Sequence, residues 1–466
     1  MSKEAMGKNV YDAVIIGAGA SGVMAALSCI ENHPSARVLI LERQSYLLRK
    51  VKASGNGRCN IANLSQAASN YRSLQTKGAD FQNFIESIFT QYDYAWLKQW
   101  WQKQGVLLKN EDLGRLYPVS ESAETVLKIL RHRLAQERIE VLLEAEVVGI
   151  AQISQSKQTK WQISYLQNSK EQKIATRNVI LATGSIAAPQ LGGVSSFDSG
   201  LTINGELPLK ISPFKPALSP VVTEFNERKD LPVGQRFHGK ISCTCGEEPI
   251  STQGELQITD YGLSGIPALD LSVLLHEHLS NQIHTVKMKQ GNRNVAQEYY
   301  RLTKPVAGEI DWANGYELTK LWSSYWVTDN TRRSLRIDEV REYLTLLLAA
   351  VVKPKIAKYL TEQTLNQLPE QFTLRQLQTK TERVLHHLPL RLIGVLSFNQ
   401  AQVALGGIDL AEVDQQSMGL LNYPGLYACG ECVDVCGRTG GYNLQWSWAS
   451  GYLAGKLKGR NRTDES

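Results

Sequence analysis

Near the start of the chain, two short apolar runs lie on either side of a stretch with a helical pattern. Residues 11–16 (YDAVII) are such a run, and they end at Gly17, which is typical of a buried parallel strand. Residues 20–32 show helical character, and residues 37–41 (RVLIL) form a second apolar run. This order predicts a βαβ unit of about 30 residues.

The hydrophobic pattern changes several times further along the chain. Prolines cluster after about residue 208, and short strand patterns follow them. Further strand patterns occur at 138–166, 177–183, 401–405 and 426–429, and helical patterns at 81–104, 338–385 and after Gly441. The simplest organisation is an α/β domain that is interrupted by a strand-rich insert and a helical insert.

The segment between the first strand and the first helix reads Gly17-Ala18-Gly19-Ala20-Ser21-Gly22. In this pattern Gly17 permits a tight turn, Gly19 lets a pyrophosphate approach the backbone, and Gly22 lets the helix pack closely on the sheet. The helix start then offers free N–H groups to phosphates. Glu42 ends the second strand, where a carboxylate accepts hydrogen bonds from an adenosine ribose and repels a 2′-phosphate. The unit predicts a dinucleotide site that excludes NADP.

Two later segments favour FAD over NAD at this site. Residues 180–184 (ILATG) place small residues at the end of a strand, where a bulky ligand can come close. Residues 425–455 contain a strand that ends at Gly430-Glu431, a glycine-rich loop, and a helix that begins near Gly441. This layout resembles the glutathione-reductase-type FAD fold. The resemblance implies an acid on the ribityl chain and a helix N-terminus at the flavin pyrimidine.

Composition narrows the function classes further. The 466 residues are 42% hydrophobic, and the formal charge of +6 with a pI near 8.8 reflects a weak, dispersed surplus of Lys and Arg. Such a surplus is typical of a solvated surface, so a nucleic-acid partner is not favoured. The N-terminus lacks the pattern of a signal peptide and no long apolar run predicts a membrane span, so we expect a cytoplasmic protein.

Several sequence blocks resemble the BaiN/YhiN-like family of FAD-dependent oxidoreductases. The blocks are the N-terminal glycine motif, SGNGRCN (54–60), DYGLSGIP (260–267), LGG (405–407), Gly430-Glu431 and TGGYNLQ (439–445). The resemblance implies an α/β fold with a discontinuous, Rossmann-like FAD-binding domain, a β-rich insert and a small helical insert. The expected boundaries are 1–208 and 386–466 for the two parts of the FAD-binding domain, 209–335 for the β-rich insert, and 336–385 for the helical insert.

The resemblance and the motifs together predict a set of cofactor-binding residues, while no catalytic residue can be assigned from the sequence. The predicted set is Gly17, Ala18, Gly19, Ala20, Ser21, Gly22, Glu42, Arg43, Gly57, Arg58, Cys59, Asn60, Val147, Ala182, Thr183, Gly184, Gly430, Glu431, Gly440, Gly441, Tyr442 and Asn443.

The resemblance implies an oxidoreductase that transfers a hydride between flavin and a small organic substrate. It also implies reduction of an activated C=C bond. Because only one dinucleotide fingerprint is visible, NAD(P)H, if it is the electron donor, must bind transiently without a Rossmann domain of its own. Two alternatives remain open: a flavin-dependent RNA-modifying enzyme and a non-catalytic flavoprotein. The sequence leaves the substrate and the oligomeric state open.

Individual side chains in these blocks have competing interpretations. Arg58 is favoured as a charged fork for phosphate or flavin oxygens over a surface position, whereas Cys59 is favoured as a packing residue over a redox thiol. Cys429, Cys432 and Cys436 have C-x2-C-x3-C spacing, but no fourth ligand is evident, so we expect no metal. A Cys429–Cys432 redox disulfide is a further alternative to simple packing. His386 and His387, before Leu388-Pro389, are favoured as a helix-end surface pair over a catalytic histidine.

Overall fold

The computed structural model describes residues 10–155, 158–194, 202–203, 209–225, 230–245, 248–290, 293–316, 318, 321–322 and 335–458. The chain divides into two compact units. The first, which we call the two-ended unit, consists of Met1–Lys215 and Gln402–Ser466. The second, the inserted unit, is Pro216–Ala401.

The strands have the following bounds, in chain order: β1 Val10–Ile16, β2 Val38–Leu41, β3 Ala62–Asn63, β4 Tyr71–Arg72, β5 Leu108–Glu111, β6 Arg115–Pro118, β7 Glu140–Leu142, β8 Ala145–Gln155, β9 Gln158–Gln167, β10 Lys170–Leu181, β11 Thr202–Ile203, β12 Ile211–Ala217, β13 Val221–Phe225, β14 Arg236–Cys245, β15 Glu248–Ile258, β16 Gly262–Gly265, β17 Leu279–Gln290, β18 Arg293–Asp311, β19 Leu335–Arg336, β20 Gln371–Phe372, β21 Leu388–Leu396, β22 Val403–Ile408, β23 Leu426–Ala428 and β24 Cys436–Gly437.

The helices, numbered in the same way, are α1 Ala20–Asn32, α2 Arg49–Ala53, α3 Gly78–Phe89, α4 Tyr94–Lys103, α5 Ala123–Gln136, α6 Ile266–Leu274, α7 Ile337–Ala349, α8 Pro354–Leu365, α9 Leu374–His386 and α10 Tyr442–Gly455. No helix in the described ranges is long and apolar enough to cross a membrane.

An eight-stranded sheet forms the centre of the two-ended unit. Its strand order is β11-β8-β9-β10-β1-β2-β7, and β23 also pairs with β10. The pairs β10–β1, β1–β2, β2–β7 and β10–β23 are parallel, whereas β8, β9 and β10 form an antiparallel meander. The apolar runs of β1 and β2 are buried, as expected of strands that are covered on both faces.

The two ends of the chain meet where α1 packs on α10. A Cβ atom at Gly451 would lie 2.4 Å from the Ser21 carbonyl oxygen, and one at Gly455 would lie 2.3 Å from the Ala25 carbonyl oxygen. The two helix backbones therefore approach each other more closely than any side chain at these positions allows. Together with the β10–β23 pair, this packing joins the C-terminal segment to the dinucleotide motif.

The inserted unit is built on an antiparallel sheet of order β14-β15-β16-β13-β21-β18-β17. Because β14 also pairs with β18, the strands from β14 through to β18 form a closed ring of pairings. Helices α7, α8 and α9 share one hydrophobic cluster with these strands, to which Ile241, Leu392, Leu344, Leu360 and Leu385 all belong.

The units differ from the predicted boundaries at three points. The inserted unit begins at Pro216 rather than at residue 209, because β12 pairs with β22 and Leu209 packs in the core of the two-ended unit. The segments up to 335 and 336–385 were expected to be separate inserts, but described residues of both, from Val221 onward, share one hydrophobic cluster. Residues from 386 onward were expected to return to the first domain, whereas β21 lies between β13 and β18 and the first domain resumes at Gln402. The reason is that an apolar strand pattern predicts burial but does not identify the pairing partners.

The helical stretch predicted at 81–104 is also interrupted. It consists of α3 and α4, and the break falls at residues 90–93. Asp93 begins the second helix because its carboxylate accepts a hydrogen bond of 2.7 Å from the Trp96 N–H.

Candidate functional site

The glycine motif forms the turn between β1 and α1, and two of its glycines are required by the chain itself. Gly17 has φ +105°, and a Cβ atom there would lie 2.4 Å from the Ala182 carbonyl oxygen. A Cβ atom at Gly22 would lie 1.9 Å from the Gly17 carbonyl oxygen. Packing of strand, turn and helix therefore explains both residues.

Gly19 differs from these two glycines. Its backbone is extended (φ −76°, ψ −169°), a conformation open to any residue, and no described atom lies within 4 Å of the position that a Cβ would take. Glycine costs conformational entropy on folding, and nothing in the described chain requires it here. The space beside Gly19 therefore fits a ligand that approaches the backbone at the start of α1.

The Glu42 carboxylate lies against the same turn. Its Oε2 accepts a hydrogen bond of 2.7 Å from the Ala18 N–H, and its Oε1 accepts one of 2.8 Å from the Gln44 N–H. Glu42 thus ties the end of β2 to the dinucleotide turn. Each carboxylate oxygen retains a second lone pair for a ribose hydroxyl.

The other predicted residues on this side line the ends of neighbouring strands. Ala182 is buried and its N–H donates to the Ile16 carbonyl at 2.9 Å, and Gly184 has φ +69°. Val147 lies at an irregularity in the β8–β9 pairing. The Arg43 guanidinium donates to the Gly192 carbonyl at 3.1 Å, so its side chain stabilises the 189–193 turn.

The SGNGRCN loop is dominated by left-handed backbone. Gly55, Asn56, Gly57 and Cys59 have φ values of +56°, +56°, +82° and +62°. Such a sequence of conformations is uncommon for residues other than glycine and persists only where surrounding contacts fix it. Cys59 is fully buried, and burial raises the pKa of its thiol to about 12, which agrees with a packing role at neutral pH.

The Arg58 side chain is engaged within the chain. Its Nη1 lies 3.0 Å from both oxygens of Glu111, and the guanidinium lies 4.1 Å from the centre of the Tyr117 ring. A role for Arg58 at phosphate or flavin oxygens stays a prediction.

The start of α10 packs against β3. Gly441 has φ +101°, and a Cβ there would lie 2.4 Å from the Ala62 carbonyl oxygen, so both conformation and packing require glycine. With its amide oriented to satisfy its neighbours, Asn60 accepts from the Gly441 N–H at 3.2 Å and donates to the Ala62 carbonyl at 3.1 Å. Asn63 donates to the Gly440 carbonyl at 3.0 Å. The SGNGRCN and TGGYNLQ blocks are thus brought together.

Of the two remaining predicted residues in the TGGYNLQ block, Asn443 contacts its own loop and Tyr442 contacts Tyr71 of β4. Asn443 accepts from the Gly437 N–H and donates to its carbonyl, both at 2.8 Å. The Tyr442 ring meets the Tyr71 ring edge-on at 5.7 Å between centroids. Both side chains shape the approach to α10, whose N-cap residue, Gly441, has no side chain that could cap the first turn. The helix start therefore presents its positive end towards the glycine-rich loop.

Gly430 and Glu431 follow β23. A Cβ at Gly430 would lie 2.3 Å from the Ser21 hydroxyl, which places this turn directly on α1. The Glu431 Oε2 lies 2.9 Å from Lys50 Nζ, and its Oε1 accepts from the Ala404 N–H at 2.9 Å. The sequence analysis did not identify Lys50, since nothing in the local pattern links it to a residue 381 positions away.

Asp434 is a second residue that the sequence analysis missed. Its carboxylate is fully buried and accepts hydrogen bonds from the Ser73 hydroxyl (2.7 Å) and from the N–H groups of Leu74 (2.8 Å), Gln75 (3.2 Å) and Gly406 (2.9 Å). Burial raises the pKa of Asp434, although these hydrogen bonds oppose the shift. The residue joins the LGG block to the C-terminal loop.

The cysteines of the C-x2-C-x3-C spacing lie in the core. Cys429, Cys432 and Cys436 are fully buried, and the Cys432 thiol donates to the carbonyls of Cys429 and Leu181. Among the described residues, no group of three His, Cys, Asp or Glu side chains could hold a metal ion. That the protein needs no metal stays a prediction.

The described part of the two-ended unit thus contains four glycine-containing turns around the ends of β1, β10 and β23 and the start of α10. The residues fit FAD because the space beside Gly19 is open, Glu42 is held at the same turn, and the start of α10 lies beside the SGNGRCN loop. Such an arrangement suits a ligand with a pyrophosphate in the middle, an adenosine at one end and a planar ring at the other.

Comparison with known proteins places this geometry in a family. A family model described as the HI0933-like protein Rossmann domain matches residues 11–457. A 3-dehydro-bile acid delta(4,6)-reductase from Clostridium scindens is 28% identical over 448 residues, covering 95% of this chain and 97% of that protein. A ribosomal RNA dihydrouridine synthase from Escherichia coli is 26% identical over 448 residues, covering 95% of this chain and 96% of that protein.

A 3-ketosteroid delta1-dehydrogenase from Sterolibacterium denitrificans superposes with a TM-score of 0.45 at 12% identity, covering 96% of this chain and 99% of that one. The expected family, the Rossmann-type fold and the oxidoreductase class are confirmed by the family match and the reductase relative. The chain belongs to the HI0933-like family of Rossmann-domain proteins.

Proposed function

We propose that the protein is an FAD-dependent oxidoreductase that reduces a carbon–carbon double bond conjugated to a carbonyl group in a small organic substrate. The observation that carries the proposal is the open space beside Gly19, at a turn where Gly17 and Gly22 are required by packing but Gly19 is not. An unliganded turn would not need a glycine at that position.

The chain's own residues have binding and orienting roles in this proposal. The turn at Gly19 and the start of α1 hold the pyrophosphate, Glu42 holds the adenosine ribose, and Gly430-Glu431 holds the ribityl chain. The start of α10 places a positive dipole end near the planar ring. The chemistry supplied by bound FAD is hydride transfer between a two-electron donor such as NAD(P)H and the substrate.

The names of the relatives support the type of bond that is reduced. A delta(4,6)-reductase acting on a 3-dehydro steroid and a dihydrouridine synthase both add two hydrogens to a double bond that is conjugated to a carbonyl. In such a reaction one carbon receives a hydride, the other receives a proton, and the donor is oxidised by two electrons. The bond type is the chemistry that the two relatives share.

The experiment begins with the purified protein. Its absorption spectrum and the cofactor released on denaturation should identify FAD rather than FMN. Stopped-flow mixing with NADH and NADPH should then bleach the flavin, and a steroid 4-en-3-one should restore the oxidised spectrum and be recovered with two additional hydrogens.

Three results would contradict the proposal. A folded, colourless protein that cannot be reconstituted with FAD would remove the cofactor assignment. A flavin that oxidises only with a uridine-containing ribosomal RNA fragment, with salt-sensitive binding, would instead place the chain with the dihydrouridine synthases. A flavin that no nicotinamide reduces would favour the non-catalytic alternative.

A further inference from the structure

The contact between Lys50 and Glu431 joins two segments of the two-ended unit that are remote in sequence. Lys50 Nζ lies 2.9 Å from Glu431 Oε2, and the exposed fractions of the two side chains are 30% and 17%. The other carboxylate oxygen accepts from the Ala404 N–H at 2.9 Å. The carboxylate is therefore fixed at both oxygens, once by a charge and once by backbone.

The backbone that carries Lys50 is anchored to the dinucleotide turn. Helix α2 follows Leu48, which is buried in a left-handed conformation (φ +64°) and donates its N–H to the Ala18 carbonyl at 2.9 Å. A buried leucine in this conformation is an outlier that only surrounding contacts can maintain. The position of Lys50 is thus set by the turn that is proposed to hold the cofactor.

Lys52, on the same helix, provides a contrast. Its Nζ lies 3.4 Å from Glu124 Oε2, and the exposed fractions of these side chains are 56% and 43%. A pair of this exposure is screened by solvent and salt, so we expect it to contribute little and to have little influence on a distant site. The two lysines therefore share a helix but differ in their surroundings.

We propose that Lys50 is a cofactor-positioning residue, which orients the Glu431 carboxylate towards the FAD ribityl chain and balances its charge beside the flavin. The inference rests on the proposed function. Each Glu431 oxygen retains a second lone pair for a ribityl hydroxyl after its contact with Lys50 or Ala404. The Lys50 ammonium group then balances the negative charge of Glu431, and so determines the net charge on this side of the flavin ring.

This arrangement predicts effects of opposite sign on the reduction potential of the flavin. Lys50→Met leaves the Glu431 charge unbalanced, so that adding electrons to the ring becomes harder and the potential falls. Glu431→Gln leaves the Lys50 charge unbalanced, so that the potential rises. The double variant removes both charges and returns the potential towards that of the wild type.

The test is a dye-equilibration titration of the FAD-loaded protein. Each single variant should change the ratio of reduced to oxidised flavin at a fixed potential by about tenfold, which is about 30 mV for a two-electron couple. Lys50→Arg keeps the positive charge and should have the wild-type potential. Lys52→Met, the control on the same helix, should also leave the potential unchanged. FAD retention after gel filtration is measured in parallel.

Single variants that shift the potential in the same direction, or Lys50→Met behaving like Lys52→Met, would overturn the inference while leaving the proposed function intact. If Lys50→Met does not retain FAD, Glu431→Gln tests the inference alone: a rise of the flavin potential supports it, and a fall overturns it. Failure of the wild type to bind FAD would instead count against the proposed function itself.

Discussion

A methyl group on Gly22 would lie 1.9 Å from the carbonyl oxygen of Gly17, whereas one on Gly19 would meet no described atom within 4 Å. We therefore expect Gly22→Ala to destabilise the fold by about 1–3 kcal/mol through overpacking. Gly19→Val should leave the free energy of unfolding of the apo-protein nearly unchanged and abolish FAD retention. Denaturant unfolding of the apo-proteins and FAD titration separate the two effects.

Either of two results would contradict the roles assigned to these glycines. If Gly19→Val binds FAD as tightly as the wild type does, no ligand approaches that backbone. If Gly22→Ala unfolds at the wild-type denaturant midpoint, the close packing of α1 on the turn is wrong.

Glu42 has two roles that substitution can separate. Glu42→Ala removes the acceptor for the Ala18 N–H and the proposed acceptor for the ribose, so FAD binding should weaken by about 1.5–3 kcal/mol. Glu42→Gln keeps a neutral acceptor for the turn and should weaken binding less. Isothermal titration of the apo-proteins with FAD measures both, and equal affinities in all three proteins would rule out a contact between Glu42 and the cofactor.

Asp434 should be sensitive to a change of one atom. In Asp434→Asn an amide NH₂ replaces one oxygen and meets N–H or O–H donors, such as those of Ser73 and Leu74, so buried donors lose their acceptor. We expect a loss of stability of about 1–3 kcal/mol or more. Urea unfolding measures the loss, with Asp80→Asn, on the exposed side of α3, as the matched control. Similar midpoints for the two variants would show that the Asp434 hydrogen bonds contribute little.

The contacts of His386 predict that the stability of the inserted unit depends on pH. Its ring lies 3.4 Å from the Glu382 carboxylate and 2.9 Å from the Asp311 carboxylate, and these negative groups, Glu382 first, raise its pKa above 6.5 although burial opposes the shift. A raised folded-state pKa gives stability that is complete below the unfolded value and is lost as the pH rises through the folded value. The Tm advantage of the wild type over His386→Gln should therefore be largest below about pH 6.5 and shrink at higher pH.

Thermal melts of both proteins from about pH 5.5 to about pH 8.5 test this expectation. His387→Gln serves as the control, because that side chain is 61% exposed. A Tm difference that is constant across the range, or that grows with pH, would show that the His386 charge does not stabilise the fold.

The elements that the sequence predicted well are those in which local spacing determines the structure. The βαβ unit with Gly17, Gly22 and Glu42 follows from glycine spacing and from an apolar run of fixed length. The interruption at Asp93 was also encoded locally, as an N-cap residue, but the helical pattern on both sides concealed it.

The parts that could not be predicted depend on contacts between remote residues. Lys50 and Glu431 are 381 positions apart, and the four donors to Asp434 come from two segments on either side of the inserted unit. Neither set of contacts produces a periodic pattern in the sequence. The partner strands of β21 were missed for the same reason, since one apolar pattern is compatible with either unit.

The packing of α10 on α1 and the pairing of β23 with β10 impose an order on biosynthesis. At about 5–20 residues per second, the ribosome needs roughly ten seconds or more to make Pro216–Ala401 after β10 has emerged. During that interval β10 lacks its β23 neighbour and α1 exposes the apolar face that α10 later covers. That face of α1 can therefore be covered, and the eight-stranded sheet completed, only after the segment from β23 to α10 has been translated.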